Sequence, residues 1–487
     1  MNFNTWQYIA FLFLCLIIYY IVPSSKRYIV LLFGSIFFYG MWDARFIALI
    51  FSVIVISYTA GYALSKYKKR GLILLAAILL LVGLLGFFKY TNFIISNING
   101  ILGFFGCHSH WEILDIILPV GISFYIFQAI SYVADCYKGT IKPEKHFLHY
   151  ALYIMFFPQL VAGPIERASD IIPQTFAEHK LNEEDFSKGL KLLAIGLFKK
   201  ICVADSLAVF VDQIWENYTN LNSFTVLLGT LMFSIQIYCD FSGYSDIARG
   251  SAKLFGYDLS LNFFHPYFAE SFRDFWRRWH VTLTKWLTDY VYKPLGGGYS
   301  GTKRKIFNIM IVFVVSGIWH GAAWTFVLWG ICHGILRCIE EAKCFRKLFD
   351  SKLRVIWRIL VLFFVNTLWI VFRSNGIRES FGIITRAYNI GGYSVSTLGD
   401  EIRALFFERV SQSMTMYIVV VSILVISLTA LLFGDLYEEK QNRSWLEISN
   451  TAVKNVVCVF ASVLIIGMYW IHNVSTEWNF TFIYFQF

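Results

Sequence analysis

Charge is what this sequence has least of. Only 15% of its 487 residues are Asp, Glu, Lys or Arg, against about 25% in soluble domains. The nine cysteines, among them Cys15, Cys202, Cys239 and Cys332, form no CxxC pair and mostly sit in apolar runs. They read as buried thiols acting as small hydrophobes, and no metal-binding spacing is found. A Walker loop and a GxSxG elbow are also missing, which removes the familiar nucleotide-binding and serine-hydrolase readings. There is no internal repeat and no long disordered linker. The longest polar stretches, 165–188 and 374–416, are too small for a separate catalytic domain.

Hydrophobic residues, by contrast, make up 57% of the chain, and they fall into runs such as "IALIFSVIVISYTAGYAL", "GLILLAAILLLVGLLGFF" and "IVVVSILVISLTALLF". Each run approaches the ~20 residues that cross a bilayer core. About 10–12 of them lie between Trp6 and Ile471, which predicts an all-α polytopic membrane protein. The first run lacks a basic segment before it, so it reads as a retained span and not as a cleaved signal. Lys26 and Arg27 follow it and are expected in the cytoplasm, with the N-terminus outside. The basic segments 65–70, 138–146 and 337–354 fall on the same side by alternation. Spans at about 355–373, 417–433 and 455–471 then leave residues 472–487 outside. These cytoplasmic flanks explain the net charge of +10. Nucleic-acid binding is the poorer reading, because the basic residues are scattered over loops.

The middle third differs in character. From Gln236 to Lys305, aromatics mix with Arg, Asp and His too densely for a lipid-facing span. In "FRDFWRRWHVTLTKW", Phe272, Phe275, Trp276 and Trp279 recur at helical spacing with Arg273, Arg277 and Arg278 between them. That pattern suits a helix in the interface or beside a water-filled cavity, although a snorkelling anchor helix would look similar. Two features favour the cavity: His280 follows Trp279, and a second histidine-bearing segment comes about 40 residues later.

That second segment is "GIWHGAAWTFVLWGICHGI", Gly317 to Ile335, within an apolar stretch from Ile306 to Leu336. Its 31 residues would span about 46 Å as straight helix, long for one crossing and short for two. Basic residues flank both ends. A break near Gly317 and Gly321 is expected, with two short helices meeting inside the membrane and His320 projecting into a cavity. His333 is read as a satisfied packing histidine. Histidine suits proton removal from a hydroxyl near neutral pH, and Arg and Lys suit a phosphate-bearing donor such as a nucleotide-linked thioester. On residues alone, acyl transfer and transport both remain open.

The segments "LPVGISFYIFQAISYVADCYKG" (118–139), "FPQLVAGPIER" (157–167), "YCDFSGYSDIARGSAKLFGYDL" (238–259), "FRDFWRRWHVTLTKWLTDYVYKPLGG" (272–297) and "SGIWHGAAWTFVLWG" (316–330) resemble those of the membrane-bound O-acyltransferases (MBOAT). The closest resemblance is to the AlgI-like bacterial branch that serves alginate and other polysaccharide O-acetylation. It covers nearly the whole chain, as a single membrane domain over 1–487. Residues 110–340 would be the family core, and 341–487 would be C-terminal spans and an extracytoplasmic tail. It implies a ring of membrane helices, with interfacial and re-entrant pieces, around a tunnel that joins a cytoplasmic donor to an acceptor on the other face.

The resemblance also implies catalytic roles for His320 and His280. His320 would be the general base, and His280 would orient the reactants or stabilise the oxyanion. Arg273, Arg277, Arg278, Trp276 and Lys285 are the candidate donor-binding residues, with Asp240, Ser242, Asp246 and Trp319 in support. The donor would be acetyl-CoA or another acyl thioester, with no permanently bound cofactor and no metal. The implied setting is the bacterial cytoplasmic membrane. The acceptor would be a polysaccharide, reached with a secreted or membrane-anchored SGNH-type acetyltransferase.

The ending "FTFIYFQF" has two readings. It is either a hydrophobic tail packed on the bundle, or a segment that enters the outer funnel and presents Tyr484 to His320 as an acyl relay. Similar endings recur in AlgI-like proteins. Two competing functions stay open, namely D-alanyl transfer to teichoic acid and a passive acyl conduit. A conduit should tolerate His320→Ala.

Overall fold

The computed structural model describes residues 2–107, 110–161, 163–299, 301–342, 353–409, 413–441, 451–474 and 482–483. Among the described residues there is no strand. Among the described residues six helices are long and apolar enough to cross a membrane: Arg45–Lys66, Arg70–Phe104, Ser223–Leu254, Arg354–Arg373, Met414–Gln441 and Asn455–His472. Trp6–Ile21 and Trp324–Ile339 are apolar but shorter. Among the described residues, fewer helices reach that length than there are apolar runs. The reason is visible in helices such as Ile122–Lys138, whose residues are nearly all buried by other protein. They are apolar because they form the core, and only the outer helices face lipid. Leu14, Phe33, Phe51, Leu79, Phe433 and Trp470 lie exposed on that outer surface, as bilayer contact requires.

Ser223–Leu254 is the axis of the bundle, 32 residues long. It meets Glu183–Leu197 at two glycine pairs spaced alike on both helices. A Cβ on Gly196 would lie 2.6 Å from the Gly243 carbonyl oxygen, and one on Gly250 would lie 2.8 Å from that of Gly189. Lipid offers no hydrophobic drive for helices to associate, so backbone contact of this kind is a main source of cohesion. Next to this close approach lie three buried ion pairs. Lys200 Nζ lies 2.7 Å from Asp205 and 2.6 Å from Asp240, and Lys199 Nζ lies 2.8 Å from Asp246. Charges at such depth persist when they are paired.

The basic segments are knit together at one end of the bundle. Arg27 donates to the His179 carbonyl, Arg70 to those of Cys136 and Tyr137, and Lys138 to that of Asp289. Lys305 and Arg337 share Glu341 there. Those two cations, acting against the effect of burial, hold the Glu341 carboxyl down at about 2. At the other end, Asn222 binds Glu401, and Arg373 binds Asp212 at 2.5 Å.

The stretch around His320 is a re-entrant hairpin. Its arms are Thr302–His320 and Trp324–Ile339. The break falls at residues 321–323; Gly317, expected to take part in it, lies inside the first arm. There it serves the crossing of the two arms, because a Cβ would sit 2.4 Å from the Phe326 carbonyl oxygen. Gly330 mirrors it, 2.4 Å from that of Phe313. The described cysteines are all free, Cys15, Cys136, Cys202 and Cys239 are buried, and Cys107 is exposed.

Candidate active site

His320 is the last residue of the first hairpin arm and is buried. Its ring lies 4.8 Å from Trp319, 5.0 Å from Trp329 and 5.4 Å from Phe372. The ring of His280 lies 5.8 Å from the same Trp319. The two histidines named from the sequence thus both meet a single indole.

His280 is placed by a local device. The aromatic and arginine segment forms two helices instead of one, Phe272–Arg278 and Val281–Leu287. Between them Trp279 is extended and His280 is left-handed, with φ 45°. His265 and His280 are the only non-glycine residues with positive φ among the described residues. That conformation costs an L-residue about 1–2 kcal/mol and collects where surrounding contacts over-determine it. Asn262 supplies those contacts. Its backbone carbonyl accepts from Val281 N–H at 3.0 Å. Its Oδ1 accepts from Thr282 N–H at 3.2 Å and from the Thr282 hydroxyl at 2.9 Å, and lies 3.1 Å from His280 Nδ1.

A backbone N–H can only donate, so the atom facing it is the amide oxygen. His280 Nδ1 must then carry its proton, and in the neutral ring Nε2 is a lone-pair acceptor. Nε2 is buried without a hydrogen-bond partner among the described residues.

A cavity of about 370 Å³ opens at the basic end, lined by Arg273, Arg277, Lys305 and Arg337 and, deeper, by Trp276 and Phe313. Along the first hairpin arm it reaches Ser316. Neither Arg273 nor Arg277 has a side-chain ion pair among the described residues. Arg278 points elsewhere, to Asp274 at 2.9 Å and Glu439 at 2.7 Å, and Lys285 is exposed. A second, smaller cavity lies beside Trp42, at the opposite end, and is lined by Lys89, Ser123, Phe124, Trp319 and His320. The two cavities thus stop one helical turn apart, at Ser316 and His320. The first is rich in arginine, and the second is lined by His320.

The remaining candidates do not line either of these two cavities. Asp240 and Asp246 are in the ion pairs already described, and Ser242 Oγ is buried without a hydrogen-bond partner among the described residues. Asp240 has one further role, accepting from the Ile483 backbone N–H at 2.8 Å. Phe482 lies against Tyr244 at 4.4 Å and Phe241 at 5.8 Å, and Phe241 is edge-on to His280 at 4.8 Å. Tyr484 lies outside the described residues. His333 is packed between Trp276 and Trp329, at 5.0 and 4.7 Å. It is buried as expected, yet neither ring nitrogen has a hydrogen-bond partner among the described residues.

Sequence reasoning missed Lys89, Asn262, Lys305 and Arg337. For Lys89 a signal existed. It is the only charged residue between Arg70 and Phe104, and a charge inside a span is a functional candidate by default.

Comparison with known proteins agrees with this geometry. The model of the membrane-bound O-acyltransferase family matches residues 142–373. A peptidoglycan O-acetyltransferase of Helicobacter pylori is 35% identical over 420 residues, covering 80% of this chain and 78% of the relative. A probable alginate O-acetylase AlgI of Azotobacter vinelandii is 34% identical, again covering 80% and 78%. A teichoic acid D-alanyltransferase of Bacillus subtilis is more distant, 27% identical over 45% of this chain and 57% of its own length. With likeness of that extent running through the segments that build the paired histidines, the chain belongs to the membrane-bound O-acyltransferase family.

Proposed function

We propose that this O-acyltransferase takes an acetyl group from a cytoplasmic thioester, acetyl-CoA in the simplest case, and passes it across the membrane for O-acetylation of a cell-surface or exported polysaccharide. The observation that carries this reading is the pair of cavities ending one turn apart on the first hairpin arm. The basic end would face the cytoplasm, as the charge bias of membrane proteins favours. Its four cations suit the phosphates of a nucleotide-linked donor, and the aromatic depth suits an acyl-bearing arm.

His320 is the general base. It takes the proton of the acceptor hydroxyl as that oxygen bonds to the thioester carbonyl carbon. The carbonyl oxygen carries the charge of the tetrahedral intermediate until the carbon–sulfur bond breaks and the thiolate leaves with a proton. With its proton on Nδ1, His280 suits hydrogen bonding to a hydroxyl, which orients a reactant, better than donation to an oxyanion.

Tyr484 is the proposed relay between this centre and the polymer. Support comes from the two residues before it, Phe482 and Ile483, which lie beside Phe241 and Asp240. An SGNH-type partner would complete transfer to the polysaccharide. The similarity to proteins named for peptidoglycan and alginate O-acetylation favours acetyl over D-alanyl transfer, because it reaches further along the chain.

Purified protein incubated with radiolabelled acetyl-CoA tests this. Label on wild type that disappears in both His320→Ala and Tyr484→Phe is the expected result. Label lost only in His320→Ala discards the relay, and turnover that survives His320→Ala discards the base.

A further inference from the structure

The membrane helix Arg70–Phe104 is not regular. Arg70–Leu85 and Thr91–Phe104 are joined by one wide π turn, Gly86–Tyr90. Such bulges cost helical hydrogen bonding and turn side chains away from the regular spiral, and they are found often at functional sites. This one places Lys89 and Tyr90 against the end of the first hairpin arm. Lys89 Nζ donates to the carbonyls of Trp319 and His320, at 2.8 and 2.9 Å, and the Tyr90 hydroxyl donates to that of Ile318 at 2.5 Å.

Those carbonyls need partners. The helix stops at His320, so its last carbonyls have no N–H one turn ahead. At membrane depth water does not replace the missing donors, and each unmet group costs several kcal/mol. The end of the arm also carries the negative pole of the helix dipole, which a cation offsets. Among the described residues no carboxylate forms an ion pair with Lys89, and its two hydrogen bonds go to these carbonyls. Lys89 also lines the smaller cavity together with His320.

We infer that Lys89, with Tyr90, is a positioning residue for His320. It fixes the backbone on which the imidazole is carried, from a neighbouring helix that is bulged for that purpose. This rests on the assignment of His320 as base. The residue acts through His320 and makes no contact with the donor, so its loss should lower turnover and leave donor binding alone.

The test uses full-length protein in detergent with acetyl-CoA, following release of the CoA thiol. Lys89→Met keeps the side-chain length and removes charge and donors. Its kcat is expected to fall 10- to 100-fold, with KM for acetyl-CoA within about two-fold of wild type. A wild-type kcat, or a raised KM at unchanged kcat, overturns the inference. Should Lys89→Met fail to fold, Tyr90→Phe removes a single bond, and a kcat at least three-fold lower is expected; an unchanged kcat overturns it. His320→Ala run alongside separates the two claims. Activity retained in His320→Ala removes the base assignment itself, whereas an inactive His320→Ala beside a fully active Lys89→Met removes only the role of Lys89.

Discussion

Asn262 determines which nitrogen of His280 bears the proton. The link is the Thr282 backbone N–H, which fixes the orientation of the amide and so makes His280 Nδ1 the donor at 3.1 Å. Strain and tautomer at His280 are therefore set by one residue 18 positions earlier in the chain.

Replacing Asn262 should accordingly harm turnover more than folding. Asn262→Ala removes the bonds to His280 and Thr282, and leaves the Thr282 hydroxyl and N–H to find other acceptors, a loss of about 1–3 kcal/mol. The kcat for acyl transfer is expected to fall ten-fold or more, with the protein still monodisperse by size-exclusion chromatography. A wild-type kcat would mean that the Nδ1 proton of His280 does not matter to the reaction.

The hairpin crossing should tolerate no added methyl. Gly317→Ala places a Cβ 2.4 Å from a backbone oxygen, and overpacking of this kind costs about 1–3 kcal/mol. Gly83 is the control, with nothing within 4 Å of its Cβ position. Gly83→Ala should leave the unfolding midpoint unchanged or raise it, since alanine is the better helix former by about 1 kcal/mol. Scanning fluorimetry of the two variants reads both signs at once.

The buried trio Lys200, Asp205 and Asp240 predicts an order of severity. Lys200→Met leaves two carboxylates together in the core, and stranding a buried charge costs about 3–5 kcal/mol. Asp240→Asn leaves the Lys200–Asp205 pair intact and should be far milder. Equal Tm losses in the two variants would contradict this account of the cluster.

His265 predicts how stability depends on pH. Burial disfavours its protonation, but Asp435 and Glu438 outweigh that effect and raise it to about 9, from about 6.5 when unfolded. Its ring lies 2.9 Å from Glu438 and 3.3 Å from Asp435. Because the folded value is the higher, the contribution is complete below pH ~6.5 and fades as pH rises through about 9, at most about 3 kcal/mol in all. Tm measured from pH 6 to 10 should decline over that window. In His265→Asn, which tolerates the left-handed backbone, this part of the decline should vanish.

Much of this was legible from residues alone. The apolar runs announce a membrane protein, and His320 and His280 stand out because imidazoles are rare in such surroundings. Other features depend on what comes near in three dimensions. The fourteen buried residues of Ile122–Lys138 look like those of a lipid-facing helix, since lipid and protein core select the same side chains. Arg278 cannot be told from Arg277 in the sequence; only the fold sends one to Glu439 and the other to the cavity. Lys89 was readable as an isolated charge, but its partners are 230 residues away. The break after His320 was foreseen, yet its position was set by a glycine crossing that requires both arms to be seen.

The shared grip of Lys305 and Arg337 on Glu341 has a consequence for the parity of the chain. The stretch between them enters and leaves by the same face, so it adds nothing to the tally of crossings. Scored as a single span, it would reverse every segment after it. Counted as zero, the three helices that follow, Arg354–Arg373, Met414–Gln441 and Thr451–Val474, make an odd number. On that count a reporter fused to the C-terminus is expected across the bilayer from one inserted between residues 339 and 354.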